Sequence, residues 1–372
     1  MSPMRWFTAC ALLVCFQVCF FPYQGAAYIP LEISPELTVG GGYDDNVFLR
    51  SGNREGDFVG RVQPRLSLAL PLKRMDMALD QSYYYYYNGK HRDEKAYQVQ
   101  GRASMYIIKD LLLSISDKYL LVPVEVGRPE YSPVNLTKAN ELDLGALFDY
   151  ELTPRTTSQW KYDFVRADFF DVFRATYYAH KAGLQIKQDI TDALSFYLEY
   201  SFLNQAYTLG KSYTLAIHQG AAGLSFLYRG LIGETSFGLQ TLDSGEAGKK
   251  SGRVLKVSIK YPATERLEAS AAYTQTMSQE ITGKIYDGRL AEAGVALTLG
   301  PRLQATARGK LGDFSFHDFP LSRRFWGTQT GLAYEIISDS QLSFTYDHYE
   351  GKDNEEIVID NRYFLELRWV FQ

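Results

Sequence analysis

Beyond residue 19 the sequence has no cysteine; Cys10, Cys15 and Cys19 are its only three. If that opening segment is removed, the mature chain has no disulfide, no thiol nucleophile and no Cys-ligated metal. Nor is there a long apolar run after Ala27. A helical span needs about 18 consecutive apolar residues, so helical membrane crossing is excluded. Positive charge is not in excess either: the formal balance is −4, which excludes a basic nucleic-acid binder. His91, His180, His218, His317 and His348 stand singly, and no pair has metal-ligand spacing. No isolated Ser-His-acid signature marks a hydrolase. These absences predict a chain without enzymatic activity, cofactor or metal.

What is present is alternation. In the last thirteen residues Tyr363, Leu365, Leu367, Trp369 and Phe371 share one parity, while Arg362, Glu366 and Arg368 hold the other, interrupted by Phe364 and Val370. Side chains of a strand point alternately to its two faces, so this strand has one oily and one wet side. The same pattern recurs at Leu194 to Phe202, Val254 to Tyr261, Arg302 to Leu311 and Leu342 to Asp347. In the segment Tyr213 to Tyr228 the parity changes near Gln219-Gly220, which predicts a β-bulge.

Short polar or Pro/Gly breaks at 73–74, 109–110, 154–155, 191–192, 229–230, 264–265, 300–301 and 338–339 divide the chain into intervals of 35 to 45 residues. Each interval holds two strand-length segments and a more variable loop. Eight such breaks predict an all-β fold: a transmembrane, antiparallel, up-and-down barrel of about 18 strands, with short periplasmic turns and longer outward loops. Only a closed barrel lets strands satisfy all their backbone hydrogen bonds in lipid. The 28 tyrosines suit the aromatic girdles of such a barrel, having an oily ring and a polar tip. Arg5, the apolar run Trp6 to Phe21 and the small residues Gly25, Ala26 and Ala27 predict a secretory signal over 1–27. The barrel is then 28–372, in a bacterial outer membrane, with a balance of −5.

The longest variable loop, 122–138, carries Pro123, Pro129 and Pro133, which cannot continue a ladder. It is free to cap the mouth, fold inward or stand in solvent, the last being the expectation. Asn135-Leu136-Thr137 within it is read as a chance sequon. Parity assigns lumen-facing positions to Arg61, Arg65, Tyr84, Tyr86, Arg102, Lys161, Asp163, Glu199, Lys256, Lys260, Arg302, Arg308, Lys310, Glu366 and Arg368. Both charge signs occur, so a single-sign filter is not expected. Tyr84 and Tyr86 belong to a run of five tyrosines, Tyr83 to Tyr87. They fit an upper aromatic girdle or, facing inward, offer rings on which sugars stack.

The most distinctive run is Pro35 to Phe48, with Gly40-Gly41-Gly42-Tyr43-Asp44-Asp45-Asn46 at its centre. It reads as a first strand entering its loop; Asp44, Asp45 and Asn46 also offer oxygens to calcium, without the spacing of a calcium-binding loop. Together with Pro64 to Leu68 this opening resembles the β-barrel porins that accompany bacterial exopolysaccharide and capsule gene clusters. The resemblance implies a conduit or scaffold for polysaccharide secretion, with no catalytic residues. It also implies as partners the polysaccharide and a periplasmic export protein. The penultimate Phe371 resembles the C-terminal aromatic signal read by the barrel assembly machinery, and the outer surface of such a barrel meets membrane lipid and lipopolysaccharide. A general diffusion porin for small hydrophilic solutes, and a receptor or adhesin acting through its loops, are the alternatives.

Overall fold

The computed structural model describes residues 31–88, 94–123, 128, 136–170, 176–209, 211–244, 248–279, 284–317, 320–354 and 356–371; the expected signal segment lies outside them. Eighteen strands follow one another: β1(Glu32–Asp44), β2(Asp57–Leu72), β3(Met75–Asn88), β4(Glu94–Ile108), β5(Leu111–Pro123), β6(Leu136–Thr153), β7(Thr156–Phe169), β8(Thr176–Thr191), β9(Leu194–Leu209), β10(Lys211–Tyr228), β11(Leu231–Asp243), β12(Lys249–Thr264), β13(Leu267–Gln279), β14(Ile285–Gly300), β15(Leu303–Phe316), β16(Ser322–Ile337), β17(Ser340–Asp353) and β18(Glu356–Val370). Each pairs antiparallel with its neighbours in sequence, and β1 pairs with β18, closing an 18-stranded barrel. The eight short turns fall within one residue of the breaks read from the sequence.

Parity separates two surfaces. On β9, β15 and β17 the residues Leu198, Tyr200, Leu311, Leu342 and Phe344 are exposed, because their surroundings are to be lipid rather than protein. An apolar belt on the outside of a closed barrel is the mark of an outer-membrane protein. The opposite parity carries the charged rows. In six hairpins the register slips by one residue at the last step before the short turn, as between Glu151 and Thr153 or Thr298 and Gly300. Such a bulge adds local twist as the chain reverses.

The expected bulge at Gln219-Gly220 is absent. β10 keeps an unbroken register with both β9 and β11 through these residues. The parity change has another cause: Leu215 and Ile217 are apolar residues on the inner face, where they join a buried cluster with Leu242, Met277 and Ile285.

The seam explains the distinctive opening run. Phe364, the residue that breaks the alternation of β18, faces inward and is 4% exposed. Its ring lies over β1 where Gly40 and Gly42 have no side chain; a Cβ at Gly40 would come within 2.6 Å of it. The guanidinium groups of Arg61 and Arg362 lie 5.6 and 4.6 Å from the ring centroid, within cation–π range. At the outer end, Asn361 donates from its backbone and its side chain to the two carboxylate oxygens of Asp45, both at 2.7 Å. Asn46 donates to the Ile359 carbonyl at 2.8 Å. The Asp45 oxygens that could have been offered to a cation, together with the Asn46 amide nitrogen, thus clasp the last strand to the first.

Two substitutions on β16 test the assignment of faces. Leu332 is exposed on the belt, whereas Gln329 lies on the other face and donates to Asp347 at 2.7 Å. Leu332→Arg should destabilise the folded barrel in lipid by roughly 2–4 kcal/mol if near the midplane. Gln329→Arg, able to pair with Asp347, should change it by less than about 1 kcal/mol. Urea titration in liposomes measures both, and equal losses would reverse the faces.

Candidate functional site

The lumen has two levels, each made by a different kind of residue. In the lower and middle parts, acids and bases of the inner face pair with one another, between neighbouring strands, along β7 in one case and across β1 in another. Arg65 meets Asp80 at 3.0 Å, Lys161 meets Asp163 at 3.0 Å, and Lys260 meets Glu268 at 3.0 Å. Lys310 meets Glu292 at 3.3 Å, Arg368 meets Glu36 at 2.8 Å, and Arg61 is in contact with Glu366. Side chains such as Lys161 and Lys260 remain more than half exposed, so they border open space inside the barrel. Ion pairs this exposed add little to stability; their consequence is a wet wall carrying both signs.

Most of the positions read as lumen-facing are thereby located. Arg61, Arg65, Lys161, Asp163, Lys260, Lys310, Glu366 and Arg368 belong to these pairs. Arg102, Glu199, Lys256 and Arg308 share the inner parity by register. Arg302 sits in a short turn and donates to the Ile336 carbonyl at 3.2 Å, so it belongs to the rim rather than the channel. The side chains of Tyr84 and Tyr86 lie outside the described residues.

The upper level is apolar and closed in. β12 and β13 pair only as far as Leu255 and Gln275. Above that point β12 continues against β11, and β13 against β14. The freed end of β13 leans across the inner face of β12 and is held on β11 by Gln240. That amide donates to the Met277 carbonyl at 2.8 Å and accepts from the Met277 backbone N–H at 3.2 Å. A side chain thus takes the place of a strand partner, satisfying both backbone groups that left the ladder. Gly252 lies under the crossing, where a Cβ would stand 3.3 Å from Met277 Cε. Met277 and Ile285 then cover Leu215 and Leu242, and all four are at most 2% exposed.

A second element reaches in from the far side. Arg128, in the long loop between β5 and β6, is ion-paired at 3.1 Å with Asp353 of β17, six strand positions away around the ring. Asp353 also binds the buried Arg323, Nε to Oδ1 at 2.7 Å. The longest loop therefore does not simply stand in solvent: at Arg128 it is tied to the rim a third of the way round the barrel. Below that tie, inward rings of Phe314, Phe325 and Tyr349 stack at 5.9 Å spacings. The leaning hairpin and the tethered arginine narrow the outer mouth.

None of these upper contacts was among the sequence-derived candidates. Leu215 and Ile217 did leave a trace, as the parity change on β10. Gln240 and Arg128 left none, because their partners lie 37 and 225 residues away.

No protein-family model matches the sequence, and no curated protein matches it. Solved structures do match the fold. OccK5 (OpdH) of Pseudomonas aeruginosa shares 12% identity over 92% of this chain and 98% of its own, with a TM-score of 0.51. OccAB2 of Acinetobacter baumannii shares 12% over 94% and 100%, with a TM-score of 0.52. OpdK of P. aeruginosa, solved with vanillate, shares 11% over 91% and 99%, with a TM-score of 0.52. At these identities the likeness concerns architecture. A closed 18-stranded barrel with an apolar outer belt belongs in a bacterial outer membrane.

The clamp at Gln240 should control the width of the mouth. Gln240→Ala removes both bonds to Met277, and each buried polar group left unpaired costs about 1–3 kcal/mol, enough to release the hairpin end. Single-channel conductance in planar bilayers should at least double while barrel abundance stays unchanged. An unaltered conductance would mean that the apolar cluster alone holds the hairpin.

Proposed function

We propose that the protein is a diffusion channel for small hydrophilic solutes. The observation that carries this reading is the pairing of a wet lumen with a mouth narrowed by the chain's own hairpin. Barrels of 16 to 18 strands leave an aqueous channel, and the half-exposed ion pairs line such a channel with donors and acceptors of both kinds. A solute can exchange water for several weak contacts there and still leave, as conduction requires. The narrowed mouth favours single small molecules over a polymer. Vanillate, present with OpdK, is of that size. The alternating signs on the wall favour weak charge selection.

The polysaccharide reading rested on the opening residues, and those residues have a structural role of their own. Gly40 and Gly42 admit the Phe364 ring, while Asp45 and Asn46 clasp β18. Nothing remains in that run to specify a polymer, and we favour the small-solute channel.

Liposome swelling tests the choice. Vesicles containing the protein should swell in isotonic solutions of mono- and disaccharides and of small organic acids, with rates falling steeply as solute size increases. Vesicles that do not swell, combined with loss of surface polysaccharide when the whole protein is deleted, would reject the channel in favour of polymer export.

A further inference from the structure

We propose that the outer wall at β8 to β11 holds one phosphorylated, acylated glycolipid of the outer leaflet, with an acyl chain in a groove and the head group at a histidine above it. The groove, about 600 Å³ in volume, has Leu184, Ile186 and Leu198 on one side and Phe237 and Leu239 on the other. Its floor is β10, where Gly220 and Ala222 occupy outward positions between these walls.

Gly220 is the informative residue. A Cβ at that position would meet no atom within 4 Å, and its backbone is not in the left-handed region. Neither packing nor conformation within the chain calls for glycine there. Gly233 shows the opposite: a Cβ there would strike the Phe226 ring, so its small size serves the barrel itself. At Gly220 the space is left for something outside the chain. Because the groove lies on the lipid-facing side, that occupant is hydrocarbon.

The next outward residue of the same row, toward the outer loops, is His218. Its Nδ1 is 2.8 Å from the hydroxyl of Tyr200, which itself lines the groove, and its ring lies 4.7 Å from that of Phe202. With Nδ1 engaged, Nε2 of this exposed side chain has no hydrogen bond among the described residues and is available to a phosphate oxygen. The pattern repeats two strands back, where Tyr162 meets His180 Nδ1 at 2.8 Å; the nearby Arg166 is already paired with Asp168 at 3.1 Å. Imidazole and phenol at the upper edge of an apolar belt match a sugar-phosphate head group; charge-assisted bonds to phosphate are the strong kind. A zwitterionic phospholipid of the inner leaflet would present its head at the other end of the groove.

Native mass spectrometry of protein refolded in detergent tests this with defined probes. A bis-phosphorylated, hexa-acylated lipid A should be retained one per barrel, at least fivefold more than phosphatidylethanolamine. Gly220→Leu, which adds a side chain to the floor where a Cβ meets no atom within 4 Å, should lower lipid A retention at least fivefold while heat-modifiable migration on gels stays normal. Ala222→Leu fills the same floor should the first variant not fold. His218→Ala should remove most of the preference for lipid A over its dephosphorylated form. Equal retention by wild type and both floor variants would overturn the site, as would equal retention of the two lipids. A dimer that either floor variant disperses would overturn it too, by giving the groove to a second copy.

Discussion

In the hydrocarbon of a membrane every backbone N–H and C=O must find a partner within the protein, and a single open edge would leave a row of them unpaired, at several kcal/mol each. Closure between β1 and β18 is therefore the contact on which the other seventeen depend. The seam is short, running from Glu36 against Val370 to Asp44 against Arg362. Side chains reinforce it at both levels. Phe364 spans the glycines of β1 from the lumen side, while Asp45, Asn46 and Asn361 tie the outer end. The run of residues that looked most specialised in the sequence is specialised for shutting the barrel.

The architecture was legible because a barrel is written in short-range code. Period-two alternation gives the faces, and turn residues at short intervals give the hairpins. Neither requires knowledge of distant contacts, so strand number, closure and the direction of Leu198 or Leu311 followed from local pattern. The failure at Gln219-Gly220 is instructive for the same reason. A parity change means either an extra residue in the strand or an apolar residue with an apolar neighbour inside. Only the distant partners Met277 and Ile285 decide between them.

The site was much less legible. Parity puts the charges on the face opposite the apolar belt, since a charge facing lipid is costly enough to be rare. It could not identify the mouth. Gln240 is one of many polar residues on inner faces, and only the parting of β12 from β13 gives it a backbone to hold. Arg128 lies among prolines in a loop whose sequence fits several paths. The rule that misled was treating loop and strand ends as independent of one another, when the outer end of this barrel is joined between elements a third of the ring apart.

The leaning hairpin has a consequence for how leucine is to be understood here. Leu311 is 61% exposed and Leu242 is fully buried, yet both obey the same preference. Lipid tails are as apolar as leucine itself, so the bilayer gives Leu311 no reason to hide. Water in the lumen gives Leu242 every reason. The protein is folded in two solvents at once: inside-out toward the bilayer, and, in the few residues under Met277 and Ile285, outside-in like a small soluble domain. What holds the mouth narrow is then the wetness of the passage it narrows, and any agent that makes the lumen a better solvent for hydrocarbon would loosen that domain before it touched the wall.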